Sequence, residues 1–164
     1  MSNDRKKDYF MRVAEETALL SYAEKLKVGA VAVRDNRIIC TGYNGTGPGE
    51  DNCCEELVDV PVQVEDVYWR PGSAGDRFTT TFEKRLKTKA NVTHAERNLI
   101  DFAAAEGIPL RGATIFTTHS PCMDCARSIA NVGVAEVYYR TLFTHPEGVD
   151  YLTTQRNVRV TRLD

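Results

Sequence analysis

The second half of the chain alternates between two kinds of apolar pattern, and this alternation limits the folds open to it. Residues 93–106 carry apolar side chains at helical spacing and are followed by Gly107 and Pro109, which end a helix. Strand patterns at 112–118, 134–140 and 158–163 then alternate with helix patterns at 123–131 and 146–157. Alternating strands and helices pack as a sheet covered by helices, so the pattern predicts a layered helix–sheet–helix domain.

The first 43 residues add a helix and a hairpin to this scheme. Residues 4–26 place apolar side chains three and four positions apart, which predicts an amphipathic helix. Residues 28–33 and 37–43 have strand character, and the dipeptide Asp35-Asn36 between them favours a tight antiparallel turn. With 164 residues in total, the chain fits one domain, which we expect to span residues 1–164.

Residues 44 to about 80 break the alternation. The stretch is rich in glycine and proline and has seven acidic residues and no basic one between Glu50 and Asp66. We predict a long irregular loop here. Loops of this length are often functional, although a solvated surface excursion explains the composition equally well.

Charge and cysteine content exclude several classes of protein. The formal net charge is −2, so the chain has no overall attraction to nucleic acid. No apolar run reaches the roughly 18 residues that a membrane span needs, and the N-terminus lacks the apolar core of a signal peptide. Five cysteines, an odd number, argue against a disulfide framework. We therefore expect free or metal-bound thiols in a reducing cytoplasm, with no nucleic-acid or membrane partner.

Two of the cysteines form a C-x-x-C motif at the start of the helix predicted at 123–131. Ser120 suits the N-cap and Pro121 the first helical position, which puts Cys122 and Cys125 in the first turn. Helix N-termini stabilise thiolates, and this serves a redox dithiol and a metal site equally well. The motif alone leaves the two functions open.

In a second motif, Thr93-His94-Ala95-Glu96, the histidine lies 28 residues upstream of Cys122. One interpretation is a capping box, in which Glu96 only bonds back to the backbone of Thr93. Taken with the C-x-x-C motif, however, one histidine and two cysteines form the donor set of a catalytic zinc site, which keeps its fourth position open. The joint pattern favours zinc, with His94, Cys122 and Cys125 as ligands.

The combination H-x-E followed by P-C-x-x-C is the signature of zinc nucleobase deaminases. The segments "VGAVAVRDNRIICTGYNGTGPGEDNCCEE", "HAERNLI" and "SPCMDCARSIANVGVAEVYY" resemble the deoxycytidylate (dCMP) deaminases, especially those of bacteriophages, over residues 5–145. The resemblance implies a three-layer α/β/α fold of the cytidine deaminase type, with a central mixed sheet of about five strands. It also implies conversion of dCMP to dUMP and ammonia, which supplies dUMP for dTMP synthesis.

In this family one zinc ion per chain activates a water, and Glu96 would be the general acid–base that moves protons from the water to the cytosine ring and the leaving amine. The resemblance suggests substrate contacts at positions that each have a plainer explanation as a turn, helix end or core residue. These candidates are Lys27 for the phosphate, Asn44 for the sugar, and Val28, Ala95, Ser120, Tyr139 and Phe143.

The resemblance further implies regulation and assembly. The loop 44–80 would be of a regulatory type, with dCTP as activator and dTTP as inhibitor, accompanied by Mg²⁺. The corresponding residues are Gly42, Tyr43, Asn44, Gly45 and Gly49. A homo-oligomer, by resemblance a hexamer, is expected. Some phage relatives hold a second zinc, but the first helix has Ala23 where they have a cysteine, so we predict a single zinc.

The sequence departs from the family pattern at two positions, and one function from a different class is an alternative. Phe143 stands where many relatives have a tyrosine, so dCTP or a nucleoside is an alternative substrate to dCMP. Pro48 is shifted by one position in the "GYNGTGPG" loop, which affects the expectation of allostery. From another class, a structural zinc-binding module would need a fourth protein ligand, and no motif supplies one.

Overall fold

A computed structural model describes residues 3–65, 70–72, 77–143 and 145–164 of the chain. The helices are α1 (Asn3–Ala18), α2 (Ala95–Ala105), α3 (Met123–Asn131) and the short α4 (Glu147–Asp150), which continues as a π-helical segment, Tyr151–Gln155. The strands are β1 (Gly29–Arg34), β2 (Arg37–Tyr43), β3 (Glu55–Glu65), β4 (Phe78–Thr88), β5 (Thr114–His119), β6 (Glu136–Thr141) and β7 (Arg159–Arg162). The alternation predicted after residue 93 is confirmed, with boundaries moved by one to a few residues.

Five strands form a mixed central sheet in the order β2-β1-β5-β6-β7. β1 pairs antiparallel with β2 and β5, whereas β6 runs parallel to both β5 and β7. The predicted turn between β1 and β2 is present, and both of its central residues, Asp35 and Asn36, have positive φ angles of 52° and 59°. Asparagine and aspartate tolerate this left-handed conformation, which is why the dipeptide is a reliable hairpin signal.

Alternate side chains of the sheet enter two separate cores. Val31, Val33, Phe116 and Tyr138 pack with Phe10, Met11 and Ala14 of α1 on one face. Ala30, Ala32, Ile115 and Val137 pack with residues of α2 and α3 on the other face. Side chains along each strand point alternately to the two faces, and helices cover both faces. The result is the three-layer α/β/α arrangement that we predicted.

The prediction for the first helix is wrong at its C-terminal end, because α1 stops at Ala18 and not at residue 26. Leu20, one of the apolar residues that suggested the longer helix, is 60% exposed. The chain after Ala18 is held by tertiary bonds instead: the Asn44 side chain bonds the backbone of Leu26 and Val28. Such bonds outweigh the helical preference of the sequence, which is a weak local signal.

The prediction of an irregular loop at 44–80 is also wrong for residues 55–65 and 78–80, which form strands; residues 66–69 and 73–76 of the predicted loop lie outside the described part of the chain. β3 and β4 pair antiparallel along all 11 residues of each strand and form a long hairpin outside the central sheet. The valines at 58, 60, 62 and 64 already show the period of two typical of a strand. Pro61 obscured this signal, but both strands of a two-stranded sheet are edge strands, where proline is tolerated.

In the part of the chain that the structure describes, no helix has both the length and the apolar character to cross a bilayer.

Candidate active site

Three potential metal ligands meet between the N-termini of α2 and α3. His94 Nδ1 lies 3.5 Å from Cys122 Sγ and 3.5 Å from Cys125 Sγ, and all three donor atoms lie within 4.8 Å of one another. In a tetrahedral zinc site the usual Zn–N and Zn–S bond lengths give an N···S edge of about 3.6 Å. The donor set and its spacing therefore fit a zinc ion with three protein ligands. It is the one such His/Cys/Asp/Glu group among the described residues.

The start of α2 excludes the capping-box interpretation. His94 is the N-cap, with an extended backbone (φ −69°, ψ 154°), and no side chain caps the helix. Glu96 turns inward and is 4% exposed, rather than bonding to Thr93. The helix thus leaves its first turn open and directs His94 and Glu96 toward the same cavity.

The start of α3 differs in detail from the prediction. Cys122, not Ser120, is the N-cap, and Cys125 lies in the first turn. The Ser120 hydroxyl accepts a hydrogen bond from Phe143 N (2.8 Å), and Ser120 N donates to Thr141 O (2.9 Å). Ser120 was expected to cap the helix, but tertiary bonds use its hydroxyl to hold the segment that carries Phe143.

Helix α4 packs closely against residues 121 and 122, which lie just before α3. A Cβ placed on Gly148 would lie 2.2 Å from the Pro121 carbonyl oxygen and 2.8 Å from the Cys122 backbone. Only glycine allows this approach. The packing of α4 therefore fixes the backbone from which the Cys122 thiol projects.

The electrostatics of the three ligands depend on each other. Hydrogen bonds from the Cys125 thiol and the His94 ring lower the pKa of the Cys122 thiol to about 3. The same contact with Cys122, together with burial, raises the pKa of the Cys125 thiol. A second negative charge in this group therefore needs a compensating cation, which is what a divalent metal supplies.

Burial also sets the behaviour of Glu96. Desolvation raises the pKa of this carboxyl above its ordinary value, since water is excluded from the charged form. A carboxyl that holds a proton more readily is better suited to accept one and pass it on, as general acid–base catalysis requires.

The loop after β2 is fastened to the start of α2. Gly45 N donates to Thr93 O (3.1 Å), and Thr93 N donates to Gly45 O (2.8 Å). Beside this bridge, Asn44 is buried; its Oδ1 accepts from Val28 N and its Nδ2 donates to Leu26 O, each at 2.8 Å. An amide side chain has one further donor and one further acceptor position, so Asn44 retains polar capacity while it shapes the cavity wall.

One cavity collects most of the residues proposed from the sequence. Those that line it are His94, Glu96, Cys122, Val28, Asn44, Ala95, Ser120 and Phe143. Sequence reasoning missed five others: Lys25, Leu26, Thr88, Val92 and His119. No local pattern marks these five, because the tertiary fold alone brings their segments together.

Two predicted substrate residues are not part of that lining. Tyr139 is buried in β6, within the sheet, and Lys27 does not reach the cavity, whereas Lys25 does. Lys25 is positioned through its backbone: Glu24 N and Lys25 N donate to the carboxylate of Glu55 at 3.2 and 3.3 Å. The cation beside the cavity is therefore Lys25, two residues before the one expected.

The residues proposed for an allosteric site lie around the same loop. Gly42 contacts the first turn of α2, the Tyr43 carbonyl accepts from Asn98 Nδ2 (2.8 Å), and Gly49 has a φ of 84° in a turn. Gly42 and Tyr43 thus have packing and hydrogen-bonding functions within the domain, and Gly49 takes a conformation that favours glycine.

Comparison with known proteins agrees with this geometry. A model of the cytidine and deoxycytidylate deaminase zinc-binding region matches residues 4–141. The deoxycytidylate deaminase of Enterobacteria phage T4 is 36% identical over 164 residues, covering 90% of this chain and 82% of the relative. That of Mycobacterium phage D29 is 34% identical over 134 residues, covering 80% and 91%.

A solved structure is similar over nearly its whole length. The dCMP deaminase from the cyanophage S-TIM5, in complex with dCMP and dUMP, superposes with a TM-score of 0.75 at 33% identity and covers 99% of both chains. The chain described here belongs to the cytidine and deoxycytidylate deaminase family.

Proposed function

We propose that this protein hydrolyses dCMP to dUMP and ammonia. The observation that carries the proposal is the buried Glu96 carboxyl, which lines the same cavity as His94 and Cys122 of the ligand group His94, Cys122 and Cys125. Its support from similarity is the 33% identity to a structure solved with dCMP and dUMP. The dUMP formed would supply dTMP synthesis.

Zinc is the metal that suits this donor set, one ion per chain. An imidazole and two thiolates are soft to borderline ligands that favour zinc over magnesium or calcium. When bound in such a site, zinc lowers the pKa of a water in its open position to near neutral.

Glu96 would move the protons of the reaction. Its carboxylate accepts a proton from the attacking water and delivers it to N3 of the pyrimidine ring. It would then take the proton of the hydroxyl now bonded to C4 and pass it to the amino group, so that the C4–N bond breaks, ammonia leaves and C4 keeps a carbonyl oxygen. The raised pKa of Glu96 suits this double role because burial favours the protonated form from which the group donates.

The cavity walls suggest how a nucleotide is held. Val28, Asn44, Ala95 and Ser120 line it at positions suited to the sugar and base, and the ring of Phe143 offers a stacking surface. Lys25 replaces Lys27 as the proposed partner of the phosphate, since Lys25 lines the cavity. Tyr139, buried in the sheet, is left with a packing function.

Regulation and assembly belong to the same proposal. Binding of dCTP or dTTP, with Mg²⁺, near Gly42, Tyr43, Asn44, Gly45 and Gly49 is supported by the Gly45–Thr93 bridge, which links this loop to His94. A hexameric assembly and a cytoplasmic location are expected from resemblance and from the five free thiols.

Ammonia release from dCMP, dCTP and cytidine, each with and without dCTP or dTTP as effector, tests the proposal. We expect the highest kcat/KM for dCMP. A higher kcat/KM for dCTP or cytidine would contradict the proposal and identify that compound as the substrate. Phe143, in the position where many relatives have tyrosine, is the reason to test these alternatives.

The phosphate contact has its own test. Lys25→Met should raise KM for dCMP several-fold, because the dianionic phosphate loses a cation, and should leave KM for cytidine unchanged. Lys27→Met is the matched control, two residues away and outside the cavity lining. An equal effect of both substitutions would contradict the assignment.

A further inference from the structure

No other described helix or strand packs closely against the β3–β4 hairpin. Each strand packs against the other and makes no more than marginal contact with any other described element. A two-stranded hairpin on its own is marginally stable in water. Two 11-residue strands held away from the core therefore need another surface to cover them.

The two faces of the hairpin differ. On one face Val58, Val60 and Val62 are half-buried, opposite Arg85, Glu83 and Thr81. The other face, here called the Leu57 face, has the pairs Leu57–Leu86, Asp59–Lys84 and Pro61–Phe82. Its apolar side chains are exposed: Phe82 is 68% exposed, Leu57 65% and Leu86 37%. Exposed apolar patches of this kind mark interaction sites.

The charges of the hairpin are divided between its strands. β3 has four acidic side chains and no basic one, whereas β4 has three basic side chains and one acidic one. On the Leu57 face Glu65 forms an ion pair with Arg77, and Glu55 accepts hydrogen bonds from Glu24 N and Lys25 N, which leaves the anion Asp59 directly opposite the cation Lys84.

This distribution is self-complementary. Paired residues lie at the same height along the hairpin, so a two-fold axis parallel to the strands stacks β3 of one copy on β4 of the other in register. Asp59 then meets Lys84 of the second copy, Leu57 meets its Leu86 and Pro61 meets its Phe82. Isologous contacts of this kind are the commonest in homo-oligomers.

We propose that the Leu57 face binds the Leu57 face of a second copy of this chain. Each copy buries the apolar side chains of the other, and two Asp59–Lys84 contacts fix the register. The contact covers the surface that the single domain leaves exposed and turns an isolated hairpin into half of a sheet sandwich.

The test is the molar mass of the full-length, zinc-loaded protein by sedimentation velocity at several concentrations. The parent should be a dimer or a larger even-numbered assembly. Phe82→Lys should halve its mass, because the substitution places a charge in the apolar contact. Thr81→Lys, the neighbouring position on the opposite face, should keep the parent mass. A monomeric parent, an unchanged Phe82→Lys variant, or a halved Thr81→Lys variant would each overturn the proposal.

A charge-swap experiment separates docking from folding of the hairpin. Asp59→Lys and Lys84→Asp should each halve the mass when alone, because like charges then meet across the contact. An equimolar mixture of the two should recover the parent mass, although each hairpin keeps its own internal repulsion. Failure of the mixture to associate would refute the proposed register.

Discussion

Gly42 of β2 lies against Ala95, the first residue of α2, more closely than any side chain would allow. A Cβ at position 42 would be 2.5 Å from the Ala95 carbonyl oxygen and 2.6 Å from Leu99 N. The glycine lets the helix that carries His94 and Glu96 settle directly on the sheet. The distance between the "TGYNG" loop and the "HAE" motif therefore depends on the absence of one methyl group.

Substitution of Gly42 by alanine should destabilise the protein by about 1–3 kcal/mol, the usual cost of overpacking a core. The displaced start of α2 should also weaken metal binding. Urea unfolding and zinc content measure the two effects. Gly45→Ala is the control, because a Cβ there has no neighbour closer than 4.0 Å. Equal losses in both variants would contradict the role of the close contact.

Glu96→Gln should keep the metal and lose activity. The Glu96 carboxyl is not part of the ligand group His94, Cys122 and Cys125, so the zinc content should stay near one ion per chain. Loss of a general acid–base group lowers kcat by roughly 10²–10⁴-fold. Cys122→Ala, in contrast, should lose both zinc and activity. Elemental analysis and ammonia release compare the two, and an active Glu96→Gln protein would refute the assignment.

His119 should make the folded state sensitive to mild acid. Burial lowers the pKa of its imidazole below the ordinary 6.5, so the native state holds fewer protons than the unfolded state just below that pH. The free energy of unfolding should therefore fall as the pH drops below about 6.5. His119→Asn should reduce this fall, measured by urea unfolding of the zinc-loaded protein between pH 7.5 and 5. An identical pH dependence in parent and variant would be the contrary result.

The cysteines outside the ligand group should differ sharply in reactivity. Burial raises the pKa of the Cys40 thiol to about 11. At pH 8 roughly a thousandth of Cys40 is thiolate, the form that reacts with alkylating reagents. Cys53 is exposed and should be labelled first by iodoacetamide, with Cys40 protected until the chain unfolds. Peptide mass spectrometry after timed labelling measures both rates, and equal rates would contradict the prediction.

Local patterns in the sequence were sufficient wherever one residue type has one dominant conformational or chemical preference. Asp35-Asn36 predicted the hairpin turn because both residues tolerate positive φ. The alternating apolar periods after residue 93 predicted the strands and helices of the second half, and thus the layered fold. The H-x-E and P-C-x-x-C motifs predicted the ligand group, because zinc accepts few donor sets.

Contacts between distant segments were decided by the tertiary structure alone. Lys25, not Lys27, lines the cavity because Glu55 bonds the backbone of residues 24 and 25 from 30 positions away. Ser120 holds the Phe143 segment instead of capping α3, since a hydroxyl takes whichever partner the fold presents.

The sequence by itself determined the candidate metal-binding group His94, Cys122 and Cys125 and the alternating strands and helices after residue 93, because these follow from side-chain chemistry and local periodicity. The tertiary structure decided where α1 ends, that residues 55–88 carry a paired hairpin, and which side chains enter the cavity. These depend on hydrogen bonds and packing between residues far apart in the chain, whose free energies exceed local preferences of a few tenths of a kcal/mol per residue.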